Sequence, residues 1–143
     1  MSTTVYAETS AVLAWLFRES GAAAIRQVLD GAERVVSSRL TLVECARALH
    51  RARRDGRLSE VKARAAQHFL DEAIEQWVIM DIVGDLVTRA GQPFPVEPVR
   101  TPDALHLASA LVFHQALGAL SLLTLDERVA DNARALGLDT VPG

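Results

Sequence analysis

A chain of 143 residues, 50% apolar and 23% charged, suits one domain, 1–143, around one core and leaves little room for two. No apolar stretch approaches the ~18 uncharged residues that span a bilayer, and the N-terminus lacks a basic segment followed by a long apolar region, so a cytoplasmic protein is expected. The single cysteine, Cys45, excludes an internal disulfide and a thiolate metal cage, and the net charge of -3 speaks against coating nucleic acid by bulk attraction.

The chain opens with an apolar run, Thr4 to Ala7, that stops at an acid, Glu8, followed by Thr9 and Ser10. It reads as a strand feeding a helix from Ala11 to Phe17, and a second helix follows from Gly21 to Leu29. Arg34 to Ser37 is the next strand. Thr41 and Glu44 form a T-x-x-E capping box at the head of a helix that runs to Asp55. In the helix expected from Leu58 to Gln76, Val61, Ala65, Phe69, Ala73 and Trp77 recur at helical spacing and read as a core-facing stripe. Trp77 to Ile82 reads as a strand and Val83 to Ala90 as a short helix.

Four of the five prolines fall in "GQPFPVEPVRTPD", which excludes regular helix and marks a surface loop leading into a helix from Pro102 to Leu117. A strand from Leu120 to Thr124, a helix from Glu127 to Leu136 closed by Gly137, and a strand from Asp139 to Val141 complete the chain. Strands that are apolar throughout and alternate with helices imply an α/β fold with a mainly parallel sheet of four or five strands covered by helices.

The acids fall at element boundaries. Glu8 ends the first strand, Glu44 opens the third helix, Asp103 opens "DALHLASALVFH", and Asp126 follows "LSLLTL". Singly, each has an ordinary explanation as a cap or a first-turn acid. In a parallel sheet, however, strand C-termini and the helix N-termini that follow them share one edge, where ligands bind at the switch in strand order. Four carboxylates converging there would repel one another unless a cation neutralised them. An all-oxygen set favours Mg²⁺ or Mn²⁺ over zinc, and such an ion can activate water against a phosphodiester without a Ser, Cys or Lys nucleophile. Metal-dependent phosphodiester hydrolysis is the chemistry this pattern suggests.

The segments "VYAETSAVLAWL", "SSRLTLVECARAL", "TPDALHLASAL" and "LLTLDERVADNARALGL" resemble, in order and spacing, the four blocks of PIN-domain proteins, most of all VapC-type toxins of toxin-antitoxin pairs. The resemblance implies a three-layer α/β/α fold, a Mg²⁺- or Mn²⁺-dependent ribonuclease activity, homodimers, and inhibition by a VapB-like antitoxin. It puts Glu8, Glu44, Asp103 and Asp126 at the four acidic catalytic and metal-holding positions, with Thr124 supporting the fourth acid and Ser10 beside the first. One position departs: the family's first acid is an aspartate, and the extra methylene of Glu8 carries its carboxylate about 1.5 Å further, where ligand distances tolerate about 0.2 Å. Glu8 is therefore expected to weaken or reposition the metal, and a PIN-like module that binds RNA or antitoxin without turnover is the competing reading. A phosphatase-like enzyme with an aspartyl nucleophile is the third, disfavoured because the first acid is glutamate and no D-x-D follows.

Residues 47 to 64 hold seven basic side chains against Asp55 and Glu60, a local excess of five, so the rest of the chain carries a net -8. Arg51 and Arg54 of this stretch, with Arg100 of the proline-rich loop, are candidate contacts for RNA phosphates. His106, three residues after Asp103, is expected to be a hydrogen-bonded packing residue, with a shared ligand face as the competing reading. Cys45 reads as a small core residue and Asp131 as a surface acid. The direction of Asn132 is left open, and His50, His68 and His114 receive no role.

Overall fold

A computed structural model describes residues 3–143 of the chain. The elements are β1 (Thr4–Ala7), α1 (Thr9–Leu16), α2 (Ala22–Gly31), β2 (Arg34–Ser38), α3 (Arg39–Arg54), α4 (Glu60–Ile74), β3 (Val78–Met80), α5 (Gly84–Ala90), α6 (Thr101–Leu117), β4 (Ser121–Leu123), α7 (Glu127–Ala135) and β5 (Asp139–Val141). The five strands form one sheet in the order β3-β2-β1-β4-β5, and every neighbouring pair is parallel.

Alternate residues of the central strands feed two cores, which is why these runs are apolar throughout. Tyr6, Val36 and Leu122 pack with Leu107, Phe113 and Val129 beneath α6 and α7. Ala7 and Val35 pack with Val12, Cys45 and Leu70 from α1, α3 and α4, and Val5 and Leu123 pack with Ala11 and Ile25 from α1 and α2. The result is three layers, helices on both faces of a parallel sheet. Among the described residues no helix is long and apolar enough to cross a membrane.

Two local expectations are corrected. The stripe expected on α4 does not face the core: Val61 is 77% exposed and Phe69 49% exposed, whereas Ala63 and Leu70 are buried. With alanine on several sides, this helix carries two apolar phases, and packing against α1 and α3 selects the one through Ala63 and Leu70. Phe69 instead lies on Trp15, with ring centroids 4.8 Å apart, and Trp15 stacks on Trp77 at 6.2 Å.

The capping box is the second correction. α3 starts two residues earlier, at Arg39, because Ser38 is its N-cap and accepts a hydrogen bond from the Leu40 amide at 3.1 Å. Thr41 is buried in the first turn, where it accepts from Ser37 Oγ at 2.9 Å. Glu44 is thereby released from any capping duty.

The proline-rich segment between α5 and α6 is non-helical, as expected, and it is pinned at two points. Phe94 is buried under the Arg89 guanidinium, 4.4 Å from ring centroid to Cζ. Asn132 turns towards this loop, accepting from the Val96 amide at 2.8 Å and donating to the Val96 carbonyl at 2.9 Å. That closes the direction left open for Asn132: it clamps the loop and does not extend the acidic site. Asp131 is exposed and paired with Arg134.

Candidate active site

The chain crosses from β1 to β2 and β3 on one side of the sheet, then returns to place β4 and β5 on the other. The crevice outside the carboxyl ends of β1 and β4 is thus the switch point, where the following helices α1 and α7 leave on opposite faces of the sheet. The tripeptide Glu8-Thr9-Ser10 lies at its floor, with Thr124, Leu125 and Asp126 opposite.

Glu8 is the buried N-cap of α1. Its carboxylate accepts from the Ser10 amide at 3.1 Å, from Ser10 Oγ at 2.5 Å and from Thr124 Oγ1 at 2.6 Å. Ser10 Oγ in turn accepts from the Leu125 amide at 2.9 Å, and Thr124 Oγ1 accepts from the Asp126 amide at 3.0 Å. Asp126 caps α7, taking the Arg128 and Val129 amides on Oδ1 at 2.9 and 3.3 Å. The sequence therefore stitches the two sides of the crevice together through one carboxylate and two hydroxyls.

Thr9 points the other way. Its hydroxyl donates to Glu44 Oε1 at 2.7 Å, and His106 Nε2 approaches the same oxygen at 2.7 Å. His106 is 1% exposed, and its Nδ1 lies 2.9 Å from the Tyr6 hydroxyl. Burial works to raise the Glu44 pKa, but the hydrogen bonds from His106 and Thr9 and the electrostatic pull of His106 and Arg100 outweigh it, so the carboxyl is held below its ordinary value. Asp103 is buried one helical turn before His106, and Arg100 Nε stands 3.4 Å from its Oδ2. Arg100 thus lies over a candidate acid.

The second oxygens of Glu44, Asp103 and Asp126 receive no hydrogen bond among the described residues, and none of them is sealed from solvent. No group of three or more His, Cys, Asp or Glu side chains among those residues is arranged to hold a metal ion. Glu8 folds back on its hydroxyl partners, Asp126 caps a helix and Glu44 leans on His106, so the acids do not form a closed shell. Hard oxygen donors with open positions still suit Mg²⁺ or Mn²⁺, which need only one or two protein carboxylates and keep several waters.

Cys45 is buried beside Glu44, and burial, reinforced by the charges of Glu44 and Glu8, pushes its thiol from 9.0 up to about 12. It is a core residue and no nucleophile. On α3, Arg47 and Arg51 follow Glu44 by three and seven residues, which puts both exposed side chains along its edge of the helix, Arg51 roughly 10 Å further on. Neither has an ion-pair partner among the described residues, whereas Arg54 Nε lies 3.3 Å from Asp55. His106 is the buried, hydrogen-bonded packing residue expected, and Thr9 and Tyr6, which the sequence did not single out, are its partners beside Glu44. A histidine three residues after an acid in an apolar helix was the available signal.

The PIN domain family profile matches residues 5–135. The chain is 34% identical over 141 residues to Ribonuclease VapC46 of Mycobacterium tuberculosis, covering 96% of this chain and 95% of that one. It is 31% identical over 144 residues to Ribonuclease VapC35 of the same species, covering 97% of each. Among solved structures, VapBC2 from Rickettsia felis bound to a promoter DNA fragment superposes with a TM-score of 0.64 at 12% identity, covering 96% of each chain. M. tuberculosis VapC20, a toxin that cleaves the Sarcin-Ricin loop, superposes with a TM-score of 0.63 at 14% identity, covering 89% of this chain and 93% of that one. The chain belongs to the PIN-domain family, among its VapC-type proteins.

Proposed function

We propose that the protein is a Mg²⁺- or Mn²⁺-dependent endoribonuclease toxin of the VapC type, a single PIN domain over residues 1–143. The observation that carries this reading is the switch-point crevice, where Glu8 and Glu44 accept from hydroxyl donors, Asp126 caps α7, and the second oxygens of Glu44, Asp103 and Asp126 stay open to water. Relatives named ribonucleases over nearly the full chain support the same chemistry.

Glu8, Glu44, Asp103 and Asp126 would hold the ion, which when bound activates water and offsets charge growing on the phosphodiester. Glu44 enters the reaction already ionised, because Thr9 and His106 hold its carboxylate. Thr124 orders Asp126 through its amide, and Ser10 orders Glu8. Arg51 and Arg54 would contact RNA phosphates along α3, and Arg100 would exchange Asp103 for substrate. Positioned charge of this kind binds the backbone without reading sequence.

The partners that follow are RNA, a VapB-like antitoxin and a second copy of the chain as a homodimer, in the cytoplasm. Structural neighbours solved as VapBC assemblies support an antitoxin partner. Purified protein is expected to cut RNA with added Mg²⁺ or Mn²⁺, to stop with EDTA, and to lose about 100-fold or more in rate on Asp126→Ala. RNA bound without turnover at any metal concentration would establish the non-catalytic module instead.

A further inference from the structure

We infer that His106 is a positioning residue for Glu44, and that the hydroxyl of Tyr6, inside the core, fixes which ring nitrogen of His106 carries the proton. The inference rests on the proposed metal-dependent reading for its catalytic consequence, but the tautomer itself is a property of the protein alone.

The hydrogen-bond inventory places a proton on Nε2 and points to Tyr6 as the donor to Nδ1. A carboxylate can only accept, and Thr9 Oγ1 spends its single proton on Glu44 Oε1 at 2.7 Å. His106 Nε2, 2.7 Å from that oxygen and 3.0 Å from Thr9 Oγ1, faces two acceptors and must therefore carry N–H. Nδ1, 2.9 Å from the Tyr6 hydroxyl, is assigned as the acceptor in a neutral ring, so a doubly protonated His106 in the native spectra would overturn the assignment. Tyr6 is fully buried, so its phenol needs a partner and keeps its proton to give. Burial pushes that phenol far above its ordinary range.

The chain of contacts crosses the sheet. Tyr6 projects from β1 into the core beneath α6, His106 passes the constraint over the C-terminal edge, and Glu44 receives it on α3. Thr9, two residues after Ala7, closes the far side. Glu44 is so held that Oε1 is occupied and Oε2 receives no hydrogen bond among the described residues. In metal centres, a partner of this kind orients a ligand and is worth about 10- to 100-fold in metal affinity.

Two measurements on the full chain decide the matter. Long-range ¹H–¹⁵N correlation spectra of the metal-free protein are expected to show His106 as the Nε2–H tautomer, and Tyr6→Phe is expected to shift it towards a mixture. An Nδ1–H pattern in the native protein, or no change in Tyr6→Phe, overturns the assignment. Direct Mn²⁺ binding by electron paramagnetic resonance is expected to weaken about 10- to 100-fold in His106→Leu and to recover most of that loss in His106→Gln, whose amide can donate from the Nε2 position. Equal affinity in native protein and His106→Leu, or equal loss in the two variants with unchanged melting temperatures, overturns the positioning role. If the native protein binds no Mn²⁺, the proposed function fails and the tautomer spectra alone judge the inference.

Discussion

Glu8 stands at the first acidic position yet behaves as a helix cap whose carboxylate is already shared by Ser10 and Thr124. Shortening it to aspartate withdraws the carboxylate from those hydroxyls and frees it for a cation. Glu8→Asp is expected to lower the Mg²⁺ concentration for half-maximal cleavage several-fold; unchanged cleavage and Mg²⁺ affinity would show that side-chain length is immaterial. Glu8→Ala removes the cap and strands two hydroxyls, so urea unfolding should report a loss of about 1–3 kcal/mol. Cys45 gives a pH test. Its folded pKa lies above the unfolded value, so the protonated thiol's contribution is complete below pH 9 and is lost as pH rises towards about 12. Alkaline unfolding should follow that direction, and native Cys45 should resist alkylation at pH 8 until denaturant is added. Glu8, Asp103 and Asp126 stand at the end of a strand or the head of a helix, as their local signals suggest, whereas Glu44 lies in the second turn of α3 because that helix starts at Arg39. The Thr9–Glu44–His106–Tyr6 chain was not legible, because its contacts span 35 to 100 residues of sequence and nothing local announces them.

Elements were legible to the extent that their signals are local. The runs Thr4–Ala7 and Asp139–Val141 form strands at the boundaries their apolar residues suggest. The run read as a strand from Trp77 to Ile82 pairs only over Val78–Met80, since pairing stops where β2 runs out of partners. Helix heads moved by one or two residues where a cap decided the start, as at Ser38 and Ser59. The phase of α4 was not legible because an alanine-rich helix offers more than one apolar face and only its neighbours choose. Stability makes the choice measurable. Leu70→Ala should cost about 2–5 kcal/mol, whereas Val61→Ala should stay within about 0.5 kcal/mol. The reverse ranking would restore the stripe through Val61.

At the scale of the whole molecule, charge is segregated: a basic excess along α3 and the loop after it, against an acidic remainder. Arg51 sits on that basic side along the helix edge that begins at Glu44, free of any ion pair among the described residues. Arg51→Ala is expected to raise KM for RNA with kcat little changed and to flatten the log–log salt dependence of binding by about 0.7, the share of one phosphate contact on a single strand. An unchanged slope would remove Arg51 from the RNA-facing surface.

The strand order has a consequence for synthesis. β1 leaves the ribosome first but lies in the middle of the sheet, and one of its two neighbours, β4, comes from residues 121–123. Until Thr124 and Asp126 have emerged, the crevice has one wall and Glu8 has only Ser10 as its partner. This topology completes the crevice only once β4 has been made and has paired with β1.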